Sequence, residues 1–245
     1  SSAPAAFKVV GVAFLIIICG CSFLMEQCPA DFVPDGWTPP AATGASGVEN
    51  KNWKEMLKTP VFYVMLLLFT CGAFSGMMVI SQASAVATNM VGMTALMAST
   101  AVSILAVFNA AGRILAGFLS DRIGRINTLT IATVLGVCGL LLLYFTGQGG
   151  YATFYVGIAC IGVSFGSFMG VYPGFTADQF GAKNNSVNYG IMFIGLAAAG
   201  YFGPSAMRNI YMTDGAYARA FLIAAACGVV GFVLTFVYRF FAKKK

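Results

Sequence analysis

The chain has 245 residues, of which 59% are hydrophobic and 9% charged, with a mean hydropathy of +0.83 and no histidine, which excludes a water-soluble domain. Its formal charge of +6 needs no nucleic-acid partner, because basic residues held at the inner surface of a lipid bilayer account for it. Without histidine, an acidic pair inside an apolar segment or a phosphate-cradling glycine loop, no enzyme, metal or cofactor chemistry is expected.

Seven segments reach the length of about 20 apolar residues that crosses a bilayer as a helix. They lie near 7–25, 60–86, 95–118, 127–147, 151–172, 186–206 and 218–240. Their apolar runs are continuous and do not alternate with polar residues, so the fold class is an all-α transmembrane bundle and not a barrel. The seven cysteines are an odd number and mostly mid-segment, which reads as packing, not as a disulfide framework.

In chain order, residues 1–25 form a first span. A polar loop, 26–59, follows; it holds Pro29, Pro34, Pro39 and Pro40 and ends in the charged stretch NWKEMLK, with an amphipathic end. Residues 60–245 then form a six-helix bundle, which Thr59 as cap and Pro60 at the first helical position begin. One span before the loop and six after it suggest a chain that starts partway through a larger protein. If 26–59 is cytoplasmic, ten lysines and arginines lie inside against Lys8, Arg208 and Arg219 outside, with Arg113 in the membrane. The C-terminus is then cytoplasmic and the protein multi-pass, in a plasma (inner) membrane.

Ser81 and Gln82 are the polar groups near the outer end of the span 60–86, and Gln82 is a further candidate to contact a substrate. The next span carries Asn109 and Arg113, four residues apart and so on one helix face. A charge facing hydrocarbon costs from about 2.5 kcal/mol to far more, so Arg113 is expected to meet a protein interior or a water path. It lies eight residues before Asp121, about 12 Å along a helix. A guanidinium there can grip a carboxylate with two parallel hydrogen bonds; the plainer alternative is an arginine that snorkels to the interface. Asn109 can join the same anion or bond a neighbouring helix.

The segment NAAGRILAGFLSDRIGRIN leaves the membrane through Gly117 and a charged turn, Asp121, Arg122, Gly124 and Arg125. This turn reads as a gate, with Asp121 paired to an arginine and aimed at the start of a following helix. Gly162, Gly166 and Gly170 recur at four-residue spacing, which lets a neighbouring backbone approach closely. Beyond them GFTADQFGAKN, Gly174 to Asn184, repeats the Gly, Phe, Asp, Gly and Asn of GFLSDRIGRIN 57 residues later, placing Asp178 opposite Asp121. Chance plus the shared demands of an exit turn, or an internal repeat, both explain it. Asn184, Asn185 or Ser186 is expected to cap the span that follows.

The turn GFLSDRIGR resembles the signature of the major facilitator superfamily, matched by Gly117, Leu119, Asp121, Arg122, Gly124 and Arg125, with Ser120 standing for Ala and Ile126 departing from a basic position. Within it the chain is similar to the oxalate/formate antiporter family through PDGWTPP, the arginine of NAAGRILAGF, and FGAKNNSVNYG. The resemblance implies a twelve-helix, two-bundle, alternating-access carrier, in which this chain supplies the sixth helix, central loop and C-terminal half, and N-terminal helices complete it. It implies a substrate arginine at Arg113 and cavity aromatics at Phe165 and Phe193. It also implies a lysine where this chain has Leu196. With one cation in place of two, the expected substrate moves from a dicarboxylate such as oxalate towards a monocarboxylate such as formate, and exchange is the simpler coupling. A receptor or an accessory membrane subunit would leave the GFLSDRIGR turn unexplained.

Overall fold

The computed structural model describes residues 3–26 and 49–242. The Pro34–Pro40 stretch, most of the predicted loop, Cys28 and Lys243–Lys245 lie outside the described residues. The chain divides into two compact units, Ser1–Ser46 and Gly47–Lys245. In the first, α1 spans Ala3–Ser22.

The second unit holds α2 (Trp53–Leu57), α3 (Pro60–Ile80), α4 (Ala83–Asn89), α5 (Ala95–Ile123), α6 (Arg125–Phe145), α7 (Tyr151–Phe180), α8 (Asn185–Asp214) and α9 (Ala218–Ala242). Among the described residues seven helices, α1, α3 and α5 to α9, are long and apolar enough to cross a membrane. Within the second unit α7 packs on α3, α5, α6 and α8, while α3 and α6 both pack on α9. Its core has two main clusters. One gathers Met78, Val86, Leu105, Leu143, Phe154 and Phe221; the other gathers Met56, Phe62, Phe69, Phe168, Tyr172 and Phe180.

Three boundaries differ from the sequence expectation. The span expected at 60–86 ends at Ile80, and Ser81 and Gln82 separate it from α4. The 21 residues of α3 already cover about 31 Å, the thickness of the hydrocarbon core. Ala83, Val86 and Ala87 then turn into the buried cluster. Second, the span expected to end at Tyr172 runs through Pro173 to Phe180. The proline forfeits one intrahelical bond, but buried Phe175, Thr176 and Phe180 hold the last two turns in place. The Asn185 amide donates to the Pro173 carbonyl at 3.2 Å. Third, α8 continues through Pro204 to Asp214.

The caps differ as well. Thr59 stands at the N-cap of α3 with Pro60 after it, but its hydroxyl donates back to the Met56 carbonyl at 2.6 Å and makes no cap bond. Asn184 is the N-cap of α8 without a side-chain cap bond, because its amide donates to the Lys51 carbonyl at 3.2 Å. That bond belongs to a mooring of the segment before α2. The Lys51 amide donates to the Phe180 carbonyl at 2.9 Å, the Lys183 amide to Asn50 Oδ1 at 3.1 Å, and the buried Asn188 to the Lys51 carbonyl at 3.0 Å. Asn52 and Glu55 close a reciprocal capping box that starts α2.

Candidate functional site

The glycine stripe on α7 sets the position of Asn109 and Arg113. A Cβ added at Gly162 would lie 2.9 Å from the Leu105 carbonyl oxygen, at Gly170 2.7 Å from that of Arg113, and at Gly112 on α5 2.4 Å from that of Val163. At Gly166 it would lie 2.1 Å from the Asn109 oxygen. The two backbones therefore meet at three successive levels over about two turns, with the Phe108 Cβ the one side-chain atom among the near contacts of the α7 glycines, the arrangement that small residues at four-residue spacing permit.

Held this way, α5 keeps a large open surface. Only 17% of its most apolar window is buried, against 61% for α3 and for α7. Two stripes share that surface. Leu96, Val107, Ile114 and Phe118 form a bulky apolar one. Ser99, Ser103, Ala106, Ala110, Arg113 and Gly117, at alternating four- and three-residue spacing, form a small and polar one. A lipid-facing helix gains nothing from serines and an arginine on one line, whereas a helix that lines a water path does.

Arg113 Nε donates to Asn109 Oδ1 at 3.3 Å. Among the described residues this is the one hydrogen bond of the guanidinium, and no carboxylate pairs with it. Its two terminal nitrogens, and the Asn109 amide group, remain as donors. From α8, Tyr189 comes within electrostatic reach of Arg113. Its ring packs edge-on to Phe193 at 4.8 Å, and Phe193 packs edge-on to Phe69 at 6.2 Å. Phe193 stays 40% exposed, so part of its ring surface is open.

The other expected residues lie apart. Phe165 is 8% exposed and turned into the bundle, where Gly76 of α3 makes room for its ring and Ala73, Ala199, Met169 and Leu196 surround it. Leu196 is itself partly buried in that cluster. Gln82 sits at the N-cap of α4, at the end of the bundle opposite Gly124. Helix rise puts Arg113 about 16 Å from the Gly124 end and Gln82 about 33 Å from the Pro60 end, so roughly half a bilayer separates their levels. Near Gln82's end, a cavity of about 180 Å³ is lined by Asn89, Tyr144, Tyr211 and Tyr217 among others. Burial pushes the Tyr217 hydroxyl above the usual range, and the hydrogen bond from Asn89 works the other way.

At the far end of α5 the charged turn takes a definite form. Gly124 and Gly181 end α5 and α7 with the same backbone conformation, φ 88° and ψ 153°, which favours glycine. The two glycines are the counterparts noted 57 residues apart. Arg125 joins the two copies. It donates through Nη1 to Asp121 Oδ1 at 2.7 Å and through Nε to Asp178 Oδ2 at 3.1 Å. It also bonds the buried Ser120 hydroxyl, and its guanidinium lies against Gly174, where an added Cβ would meet it at 3.2 Å. Arg122 points elsewhere, over the Phe118 ring at 4.2 Å. Asp121 thus lies in the last turn of α5, bonded to Arg125 and not to the backbone amides of a following helix.

Sequence reasoning missed Tyr189 and the small polar stripe of α5. The stripe was visible in the spacing from Ser99 to Gly117; Tyr189 had no signal beyond its place four residues before Phe193.

A family profile described as Major Facilitator Superfamily matches residues 1–204. The chain is 30% identical over 186 residues to the uncharacterized MFS-type transporter YhjX of Escherichia coli (strain K12), covering 75% of this chain and 44% of that protein. It is 29% identical over 187 residues to the oxalate:formate antiporter of Oxalobacter formigenes, covering 76% and 44%. The chain therefore spans less than half the length of either relative. Among solved structures it is similar to the transporter FucP in the outward conformation, with a TM-score of 0.63 at 18% identity over 94% of this chain and 53% of that one. A peptide transporter, POT, gives a TM-score of 0.65 at 17% identity over 80% and 40%.

Proposed function

The chain belongs to the major facilitator superfamily and is an integral, multi-pass membrane protein, and from that premise we propose that it carries a small carboxylate anion by alternating access, exchanging one anion for another. The observation that carries this reading is Arg113, an arginine on a small, polar, open stripe of α5 with both terminal nitrogens unpaired among the described residues.

The carboxylate is gripped by Arg113 in a two-bond fork, with the Asn109 amide beside it and the Tyr189 hydroxyl as a neutral donor across the gap. Phe193 provides the apolar wall. One fixed positive charge matches one negative charge. Leu196, packed against Phe165 where the resemblance led to expect a lysine, offers no second cation, which favours a monocarboxylate such as formate over oxalate. The likeness to the oxalate:formate antiporter supports the substrate class. The opposing wall comes from N-terminal helices that complete the carrier, as the greater length of its relatives suggests.

The Arg125 cluster is the gate at the cytoplasmic end. It ties the last turn of α5 to the last turn of α7 through exposed carboxylates, 68% and 57% accessible for Asp121 and Asp178. Ion pairs this exposed contribute about 0–1 kcal/mol each, so the tie can form and break in every cycle. The lysine and arginine bias supports a cytoplasmic location for this end and for the C-terminus.

The test is counterflow in proteoliposomes preloaded in turn with formate, lactate and oxalate, for the unaltered carrier and for Arg113→Lys. A lysine keeps the charge but loses the two-bond fork, so uptake of the preferred monocarboxylate falls at least tenfold at normal expression. Near-normal uptake by Arg113→Lys removes Arg113 from the substrate site; a preference for oxalate overturns the one-charge reading.

A further inference from the structure

Independently of transport, we infer that the outer face between α6 and α9 holds one anionic glycerophospholipid, with its phosphate at Arg239 and an acyl chain in the groove beside it. Two apolar grooves that share lining residues run along this face, the larger on α6 alone and the smaller between α6 and α9. One, of about 310 Å³, is lined by Thr130, Ile131, Val134, Leu135 and Cys138. The other, of about 160 Å³, shares Val134 and Cys138 and adds Val137, Val229 and Phe232. From Thr130 to Cys138 the groove runs about 12 Å up α6, long enough to seat much of an acyl chain.

Thr130 connects the groove to a cation. Arg239, near the end of α9, donates through Nη2 to Asn127 Oδ1 at 2.9 Å and to Thr130 Oγ1 at 3.1 Å, and lies over the Phe236 ring at 5.1 Å. All of these partners are neutral. The three ion pairs among the described residues belong to Arg125 and Arg219, so the charge of Arg239 is uncompensated where the groove opens. Two hydrogen bonds and a ring fix the guanidinium, and its remaining N–H groups are left as donors. A phosphate diester at the membrane surface, continuous with hydrocarbon below it, supplies what each end lacks: an anion at Arg239 and a chain in the groove. Basic pockets between helices at the inner surface bind lipid head groups in this way. A soluble anion satisfies only the arginine, and a neutral lipid only the groove.

The test uses the purified protein in detergent, titrated with phosphatidylglycerol, phosphatidylcholine or glycerol phosphate and read by thermal stability and by native mass spectrometry. Phosphatidylglycerol binds more tightly than phosphatidylcholine, by about fivefold for one interfacial arginine, and glycerol phosphate has no effect. Arg239→Gln removes that preference. Thr130→Val, which deletes one of the same hydrogen bonds but keeps the charge, retains it, and so separates charge recognition from a merely structural bond. Val134→Phe fills the groove and weakens both lipids alike. Lys58→Gln, a cation elsewhere on the surface, changes nothing. The inference is overturned if Arg239→Gln keeps the preference, if Thr130→Val loses it equally, or if glycerol phosphate alone reproduces the stabilisation.

Discussion

Replacing Gly166 with alanine tests whether the α7 stripe positions Arg113, the arginine proposed to hold the anion. The added carbon would stand 2.1 Å from the Asn109 carbonyl oxygen, 3.0 Å from its carbon and 3.1 Å from the Arg113 nitrogen, where ordinary contact begins at 3.4 Å. The helices must therefore part by about 1.3 Å (3.4 − 2.1) at this level. All three atoms are backbone, so no side chain can swing aside to absorb the change. Overpacking of this kind costs about 1–3 kcal/mol. At the proposed site, a shift of this size breaks one of the two bonds proposed between Arg113 and a carboxylate. A hydrogen bond to a charged group contributes about 1.5–3 kcal/mol, so substrate affinity falls tenfold or more. The measurements are thermal unfolding in detergent and the half-saturating anion concentration in counterflow. Gly190→Ala is the control, since nothing lies within 4 Å of its added carbon; helix propensity alone makes it neutral or stabilising by up to about 1 kcal/mol. If Gly166→Ala matches Gly190→Ala in both measurements, the stripe does not set the position of Arg113, and the argument from backbone contact fails.

Three more outcomes follow from the same geometry. Tyr189→Phe removes a neutral donor and keeps the ring on Phe193, so half-saturation rises about tenfold while melting stays within about 0.5 kcal/mol of the parent; unchanged half-saturation removes Tyr189 from the site. Arg125→Lys cannot reach both carboxylates at once, so exchange slows more than equilibrium binding weakens, with about 1 kcal/mol or less lost in stability. Asp121→Asn and Asp178→Asn each release one arm of that tie and slow exchange to a similar degree; a defect confined to Asp121 means that the two copies of the motif do not share one function.

How much of this was legible in the sequence depended on whether a feature is local. The glycine spacing at 162, 166 and 170 announced a close helix contact, because small residues at that interval have few other reasons to recur. The turn at Gly124 and its counterpart at Gly181 were visible because positive φ restricts the residue type. The break at Ser81 and Gln82 was not visible, since neither residue stops a helix; burial of Ala83, Val86 and Ala87 decides it. The run through Pro173 was missed because proline normally ends a helix, and here tertiary packing of Phe175 and Phe180 outweighs one lost bond. The two aspartates could be aligned on paper, but that one arginine joins them depends on the crossing of α5, α6 and α7. The seat of the Phe165 ring against Gly76 of α3, beside Ala73 and Ala199, had no local signal, since it depends on how α3, α7 and α8 meet.

The mooring of residues 50 and 51 has a mechanical consequence. Four hydrogen bonds fasten this short stretch to the corner between α7 and α8, two of them from Asn184 and Asn188. Those two asparagines lie just before Tyr189, on the helix that also bears Phe193. The stretch is therefore fastened to the base of α8 before the chain enters α2 and then α3. The segment thus braces the fold: one hydrogen-bonded joint holds the approach to α2 against the base of α8, although 133 positions of sequence separate Lys51 from Asn184.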